Sequence, residues 1–204
     1  MTEKMNSVIP FDPAKLSRAL LATAREVKSG AAFLRMDKTG AWVYGANADE
    51  VDMDSRFMVN PAGFQHGHVA WGDSVKLGEY IGPLTDPLPE TGPVPGGCER
   101  GWEFQLGMHL LGISGEMKDI ELVYCASSVG GKRAISELAQ LVGNKLAALP
   151  ADGKVVPVVE LGSDSYKHQK YGKIYTPIIK LVQWTAMPKA PAASDPKALK
   201  KAKK

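Results

Sequence analysis

One stretch of this chain has a clear helical period, and it stands among segments of a different kind. Ile135, Leu138, Ala139, Val142 and Leu146 recur at i, i+3, i+4, i+7 and i+11, a single apolar stripe. Gly130-Gly131 opens the segment, and Pro150, Asp152 and Gly153 close it, which predicts a helix over residues 132–149. On either side the chain runs in short apolar, β-branched or aromatic pieces punctuated by Gly, Pro and Asp. Such a stripe has to be buried, and the neighbouring strands are what the sequence supplies to bury it.

Upstream, residues 13–28 make a second amphipathic helix, capped by Asp12, with Pro13 in its first turn and Gly30 at its end. Residues 31–36 and 41–45 flank Asp37-Lys38-Thr39-Gly40, a hairpin turn in which Gly can take positive φ. Residues 56–60 and 67–71 flank a turn at Pro61-Ala62-Gly63. Residues 82–97 hold five Pro and four Gly, which excludes helix or central strand and predicts a surface insertion at about 82–101. Residues 102–113 read as a long strand with Trp102, Phe104, Leu106, Met108 and Leu110 on one face, and residues 120–126 as its partner. After the helix come an apolar strand over 155–161 and a longer one over 173–184.

Strands, an internal helix and a final hairpin form the order of a five-stranded oligonucleotide/oligosaccharide-binding (OB) barrel, whose helix lies between strands 3 and 4. The expected fold class is therefore mainly β with helices (α+β): one OB-type domain over residues 1–188, with an N-terminal helix. Residues 189–204 are Ala, Pro and Lys without hydrophobic anchors, and a disordered basic tail is expected there.

The formal charge of +3 divides unevenly. Residues 189–204 carry six Lys against Asp195, which leaves the rest of the chain at −2. The body is therefore no bulk polyanion binder, and any such binding has to use a local patch. Acid gathers at Asp37, Asp49, Glu50, Asp52 and Asp54, whereas residues 118–188 hold nine basic and six acidic side chains. Cys98 and Cys125 lie 27 residues apart without a CxxC pair, which argues against a zinc knuckle or a disulfide scaffold. No apolar run approaches membrane-spanning length and the N-terminus lacks a signal-peptide core, so a cytoplasmic setting without membrane association is expected.

The local patch is at residues 163–175. There Tyr166, Tyr171 and Tyr175 interleave with Lys167, Lys170 and Lys173 around His168, with Asp164 the one acid. Aromatic rings offer surfaces for unpaired bases and ammonium groups neutralise the phosphates between them, which suits a groove tracking a single strand. An ordinary hairpin rich in exposed Lys and Tyr is the plain alternative. In the barrel reading residues 162–172 are the loop joining the last two strands, where such folds contact nucleic acid.

The segment from Pro157 through Tyr166-Lys-His-Gln-Lys-Tyr-Gly-Lys-Ile-Tyr-Thr-Pro177 to Trp184 resembles the C-terminal part of phage-encoded single-stranded DNA-binding replication proteins with an OB fold. The likeness extends back through Gly101-Trp-Glu-Phe and the Gly130-Gly-Lys helix, at the level of pattern and without a diagnostic short motif. It implies single-stranded DNA as ligand, phage or host replication proteins as partners, and a role in DNA replication or recombination in the host cytoplasm. The chain departs from the pattern at its end, where Lys200-Lys-Ala-Lys-Lys204 stands in place of an acidic partner-docking tail, so a second DNA contact suits that tail better.

Further candidates are weaker. Lys132 and Arg133 at the start of the helix could hold one backbone phosphate, although Ala126 and Arg133 break a Walker A pattern. Trp42 shares a strand face with Tyr44, Phe33 and Arg35 project from the neighbouring strand, and Arg56 and Trp71 come from the next two. Trp42 and Trp71 fit either a stacking platform or the core, whereas Trp102 and Phe104 fit the core. His66-Gly-His68 puts two imidazoles on one side of a strand without a third ligand at a recognisable spacing, and no metal is expected. Glu160 and Asp164 lack a lysine at nuclease spacing, and no base pairs with Cys98, Cys125 or a serine, so no catalytic site and no cofactor are expected. The chain thus reads as a non-enzymatic single-strand binder. Its alternative is a phage accessory protein that docks a host or phage protein through residues 82–97. An exposed barrel strand could also pair two copies into a homodimer.

Overall fold

The computed structural model describes residues 30–149 and 155–186. The expected N-terminal helix, the helix stop at 150–153 and the basic tail lie outside the described residues. Within them the chain forms β1 (Ala32–Met36), β2 (Trp42–Tyr44), β3 (Asp49–Glu50), β4 (Phe57–Val59), β5 (Gln65–Gly72), β6 (Val75–Pro83), β7 (Glu103–Gly112), β8 (Glu121–Ala126), α1 (Val129–Ala147), β9 (Val155–His168) and β10 (Gly172–Ala186). Short 3-10 turns occupy Pro61–Gly63 and Gly115–Met117.

All ten strands belong to one sheet, with the path β10-β9-β4-β7-β8-β1-β2-β3. Every pairing is antiparallel except β1 with β8. β7 organises it. One edge pairs with β8, while the other is shared by β5 along residues 103–107 and β4 along residues 110–112. Asn60 makes the corner between β4 and β5: its side chain accepts from the Ala62 N–H, and Pro61 and Gly63 complete a tight turn. The sheet therefore forks into a β9–β10 arm and a β5–β6 arm.

The sheet also curls on itself. Trp42 on β2 is fully buried, and its indole Nε1–H donates to the carbonyl of Gly162 on β9 at 2.8 Å, although the two strands are five steps apart along the sheet path. Leu34, Phe57, Met108, Leu122 and Val159 fill the space inside with Trp42, and α1 closes it with Ala134, Ile135, Leu138 and Val142. The stripe legible in the sequence packs from Ile135 to Val142, whereas its last member, Leu146, is exposed. Ser128 caps the helix, its hydroxyl accepting from the Gly131 N–H, so α1 begins three residues before the expected start.

These observations correct the expected five-stranded OB barrel with a helix between strands 3 and 4. The described residues hold ten strands in a forked, curled sheet, and α1 falls between the eighth and ninth. The physical reason is the second arm. β6 was hidden because Val75–Pro83 carries Gly78, Gly82 and Pro83 and mostly exposed side chains, so neither alternation nor an apolar run marked it. The Pro-rich insertion does lack regular structure beyond Pro83. It returns along β6 as a strap, with the Leu84 N–H donating to the Phe64 carbonyl and the Trp102 indole to the Gly92 carbonyl.

Candidate nucleic-acid interface

β9 changes character at Leu161. Val156 to Val159 and Leu161 are buried, whereas from Gly162 to His168 the strand is partly or wholly exposed. The expected loop at 162–172 is instead a continuation of both strands, paired from Gly162↔Ile178 to His168↔Gly172, and only residues 169–171 turn. A two-stranded ribbon thus leaves the body carrying the tyrosine–lysine cluster.

Register divides that cluster between two faces, because directly opposed residues share a face and neighbours alternate. Lys167 lies opposite Lys173 and Ser165 opposite Tyr175, on the face continuous with Leu161 and the core. Tyr166 lies opposite Ile174 and Asp164 opposite Thr176, on the outer face continuous with Glu160. The three tyrosines therefore do not line one groove. Tyr171 sits at the tip, 66% exposed, its ring 4.8 Å from that of His168, with Lys170 Nζ 5.3 Å from its centroid. Tyr166 is 51% exposed and free to stack from the outer side. Tyr175 turns inward under Lys173 Nζ at 4.6 Å, and its ring rests on the α-carbon of Gly40. Gly40 has φ +87°, so the β1–β2 turn and the close approach of the ring both require glycine there.

His168 has a structural task. Its Nδ1 accepts the N–H groups of Lys170 and Tyr171 at 3.1 and 3.3 Å and so builds the turn. Lys167, Lys170 and Lys173 take part in no ion pair; the pairs among the described residues are Arg56–Glu160, Lys76–Glu79 and Arg100–Glu103.

The other sequence candidates separate from this ribbon. Trp42 is core and unavailable to a base. Arg56 Nε pairs with Glu160 at 3.1 Å on the outer side. Trp71 is partly exposed, but it lines a cleft of about 220 Å3 with Glu99, Arg100, Glu103 and Ser74, where two carboxylates oppose a phosphate. Lys132 points away from the ribbon: its Nζ donates to the Phe104 carbonyl at 3.3 Å and stands 5.7 Å from that ring's centroid. Arg133 is exposed one residue further on. Trp102 and Phe104, expected in the core, are both partly exposed, because the core-facing side of β7 runs out beyond Leu106 toward the strap.

That end of β7 holds an arrangement the sequence did not disclose. Tyr80, His68 and Phe104 lie side by side across β6, β5 and β7, since His68 is the register partner of both others. The His68 and Phe104 rings are 6.0 Å apart, Tyr80 meets Trp102 at 5.0 Å, and Lys132 borders the row. His68 Nδ1 is buried without a hydrogen-bond partner, and His66 Nε2 is bonded to the Asp86 carbonyl at 3.0 Å. The period-two spacing of His66 and His68 was visible, but only the three-strand register sets Tyr80 and Phe104 beside them.

No helix among the described residues is long and apolar enough to cross a membrane. Comparison with protein-family models, with curated proteins and with solved structures finds no match for this chain.

Proposed function

We propose that this protein binds single-stranded DNA with little sequence preference, through the β9–β10 ribbon. One observation carries the reading: Lys167 and Lys173 face each other directly across two strands with no acid partner among the described residues, and Lys170 stands at the tip between them. Like charges in opposed positions repel, and a polyanion lying along the ribbon relieves that repulsion. Tyr171 and Tyr166 add exposed rings for bases, and the Tyr80–His68–Phe104 row beside Lys132 offers a second aromatic surface. A place in phage DNA replication or recombination, in the host cytoplasm and beside replication proteins, rests on the resemblance of residues 157–184 alone. Nothing in the reading calls for an enzymatic step.

The test is a fluorescence-anisotropy titration of labelled oligo-dT at low salt. Saturable binding is expected, and it should weaken strongly when Tyr166, Lys167, Lys170 and Tyr171 are all replaced by Ala. Absent binding, or binding that the quadruple variant leaves unchanged, defeats the reading.

One observation favours the accessory-protein alternative. Leu84, Leu88 and Val94 are exposed along the strap, as are Val75 and Leu77 on β6. That reading gains if nuclease-treated protein retains a protein partner while showing no affinity for oligonucleotides.

A further inference from the structure

The tip of the ribbon is built around one acceptor. Gln169, Lys170 and Tyr171 carry the chain from His168 to Gly172, which are register partners, and Gly172 has φ +73°. The N–H groups of Lys170 and Tyr171 both point at the His168 Nδ1. No other side chain among the described residues hydrogen-bonds to this turn. A backbone N–H can only donate, so Nδ1 has to bear its lone pair and the ring proton has to sit on Nε2. The imidazolium carries a proton on both nitrogens and accepts nothing. Protonation would therefore turn Nδ1–H against the two amide N–H groups and remove the bonds that close the turn.

What the turn positions is the binding equipment of the tip. The Tyr171 ring leans over the imidazole at an interplanar angle of 31°, and the Lys170 ammonium stands over the Tyr171 ring. Losing the two bonds at Nδ1 frees Lys170 and Tyr171 together. The charged groups about His168 are cations: Lys167 on its own strand, Lys170 at the tip and Lys173 on β10. The next acid back along β9 is Asp164, whose Oδ1 accepts the Ser165 N–H at 2.7 Å. No carboxylate among the described residues pairs with His168. A proton added there finds no counter-charge in the ribbon.

We infer that His168 is a proton-controlled positioning residue. Its neutral form, protonated on Nε2, holds Lys170 and Tyr171 in their binding arrangement, and uptake of a proton releases the tip and weakens the grip on a single strand. The consequence for DNA rests on the single-strand reading; the consequence for the turn does not. The sign separates this role from a direct one, because a histidine touching phosphate would bind more tightly in acid through its added charge. Histidine changes charge between about pH 5 and 8, so the two forms are both within reach of a binding assay.

Spectra of 15N-labelled full-length protein without DNA, taken from about pH 8 to about pH 5, test the turn directly. At the upper end the imidazole should carry its proton on Nε2. As the His168 ring titrates, the amide protons of Lys170 and Tyr171 should move upfield, as amides do on losing an acceptor. Asn places Oδ1 where the imidazole has Nδ1 and accepts the same N–H groups without titrating, so in His168→Asn these amides should hold. Anisotropy titrations then read binding, with oligo-dT lacking terminal phosphates, which has no group that titrates in this range. Wild-type protein should bind about fivefold more weakly at the acid end, as loss of one weakly stacked base would. His168→Asn should bind equally at both ends. His168→Phe, which keeps a ring and loses the acceptor, should bind weakly at both.

A proton on Nδ1 at the upper end, or tip amides that ignore the His168 titration, overturns the inference. So does an affinity that rises in acid, or a pH profile that His168→Asn leaves unchanged. Failure of wild-type protein to bind oligo-dT at the upper end defeats the single-strand reading instead, and the spectra then decide the switch alone.

Discussion

Replacing Lys167 and Lys173 together by Gln separates the ribbon's two roles, as a strand pair and as a polyanion track. The two ammonium groups stand opposite each other near the end of an exposed hairpin, without a carboxylate partner among the described residues. Removing them takes away a like-charge opposition worth roughly 0.2–1 kcal/mol and also the contact of Lys173 with the Tyr175 ring, worth about 0.5–1 kcal/mol, so the melting temperature should stay nearly unchanged. Binding should move the other way. Each phosphate neutralised on a single strand contributes about −0.7 to the slope of log K against log salt, so losing two contacts should flatten that slope by about 1.4. Over a rise from about 50 to about 200 mM salt, two such contacts account for about a sevenfold fall in affinity that the variant should no longer show. Anisotropy titrations of oligo-dT at four or more salt concentrations give the slope, and a thermal melt of the same samples gives the stability. An unchanged slope refutes the phosphate assignment. A clear fall in melting temperature refutes the claim that Lys167 and Lys173 add little net stability.

Two further predictions concern the body. Trp42→Phe strands the Gly162 carbonyl and leaves space in a fully buried site, so urea unfolding should show a loss of about 2–4 kcal/mol, whereas a change below about 0.5 would mean that this bond does not hold the curl. Burial pushes the Cys125 thiol up to about 11. The unfolded thiol ionises near its ordinary value while the folded one stays protonated, so from about pH 9 to 11 stability should fall by up to about 1.4 kcal/mol per pH unit, and Cys125→Ala should flatten that stretch of the profile.

The sequence by itself determined the pieces whose signal is local. The stripe from Ile135 to Leu146 required a helix with one buried face, and α1 buries it as far as Val142, leaving Leu146 exposed. Asp37 to Gly40 required a turn, and four prolines with three glycines over residues 84–97 forbade regular structure after Pro83. The tyrosine–lysine run was equally visible as composition. What the sequence could not carry was register, because the face a strand residue occupies depends on a partner far along the chain. A parity of one residue sends Tyr166 outward and Tyr175 onto Gly40, and a three-strand alignment sets Tyr80, His68 and Phe104 in a row. Trp42 could be either core or platform until the curl brought β9 over it and gave its indole a carbonyl. The fork at Asn60 and the weakly patterned β6 changed a five-strand expectation into a ten-strand sheet. Hydrophobic period fixes what must be buried, whereas long-range pairing decides against what, and it is the pairing that places Lys167, Lys173 and Tyr175 on one face of the ribbon and Tyr166 on the other.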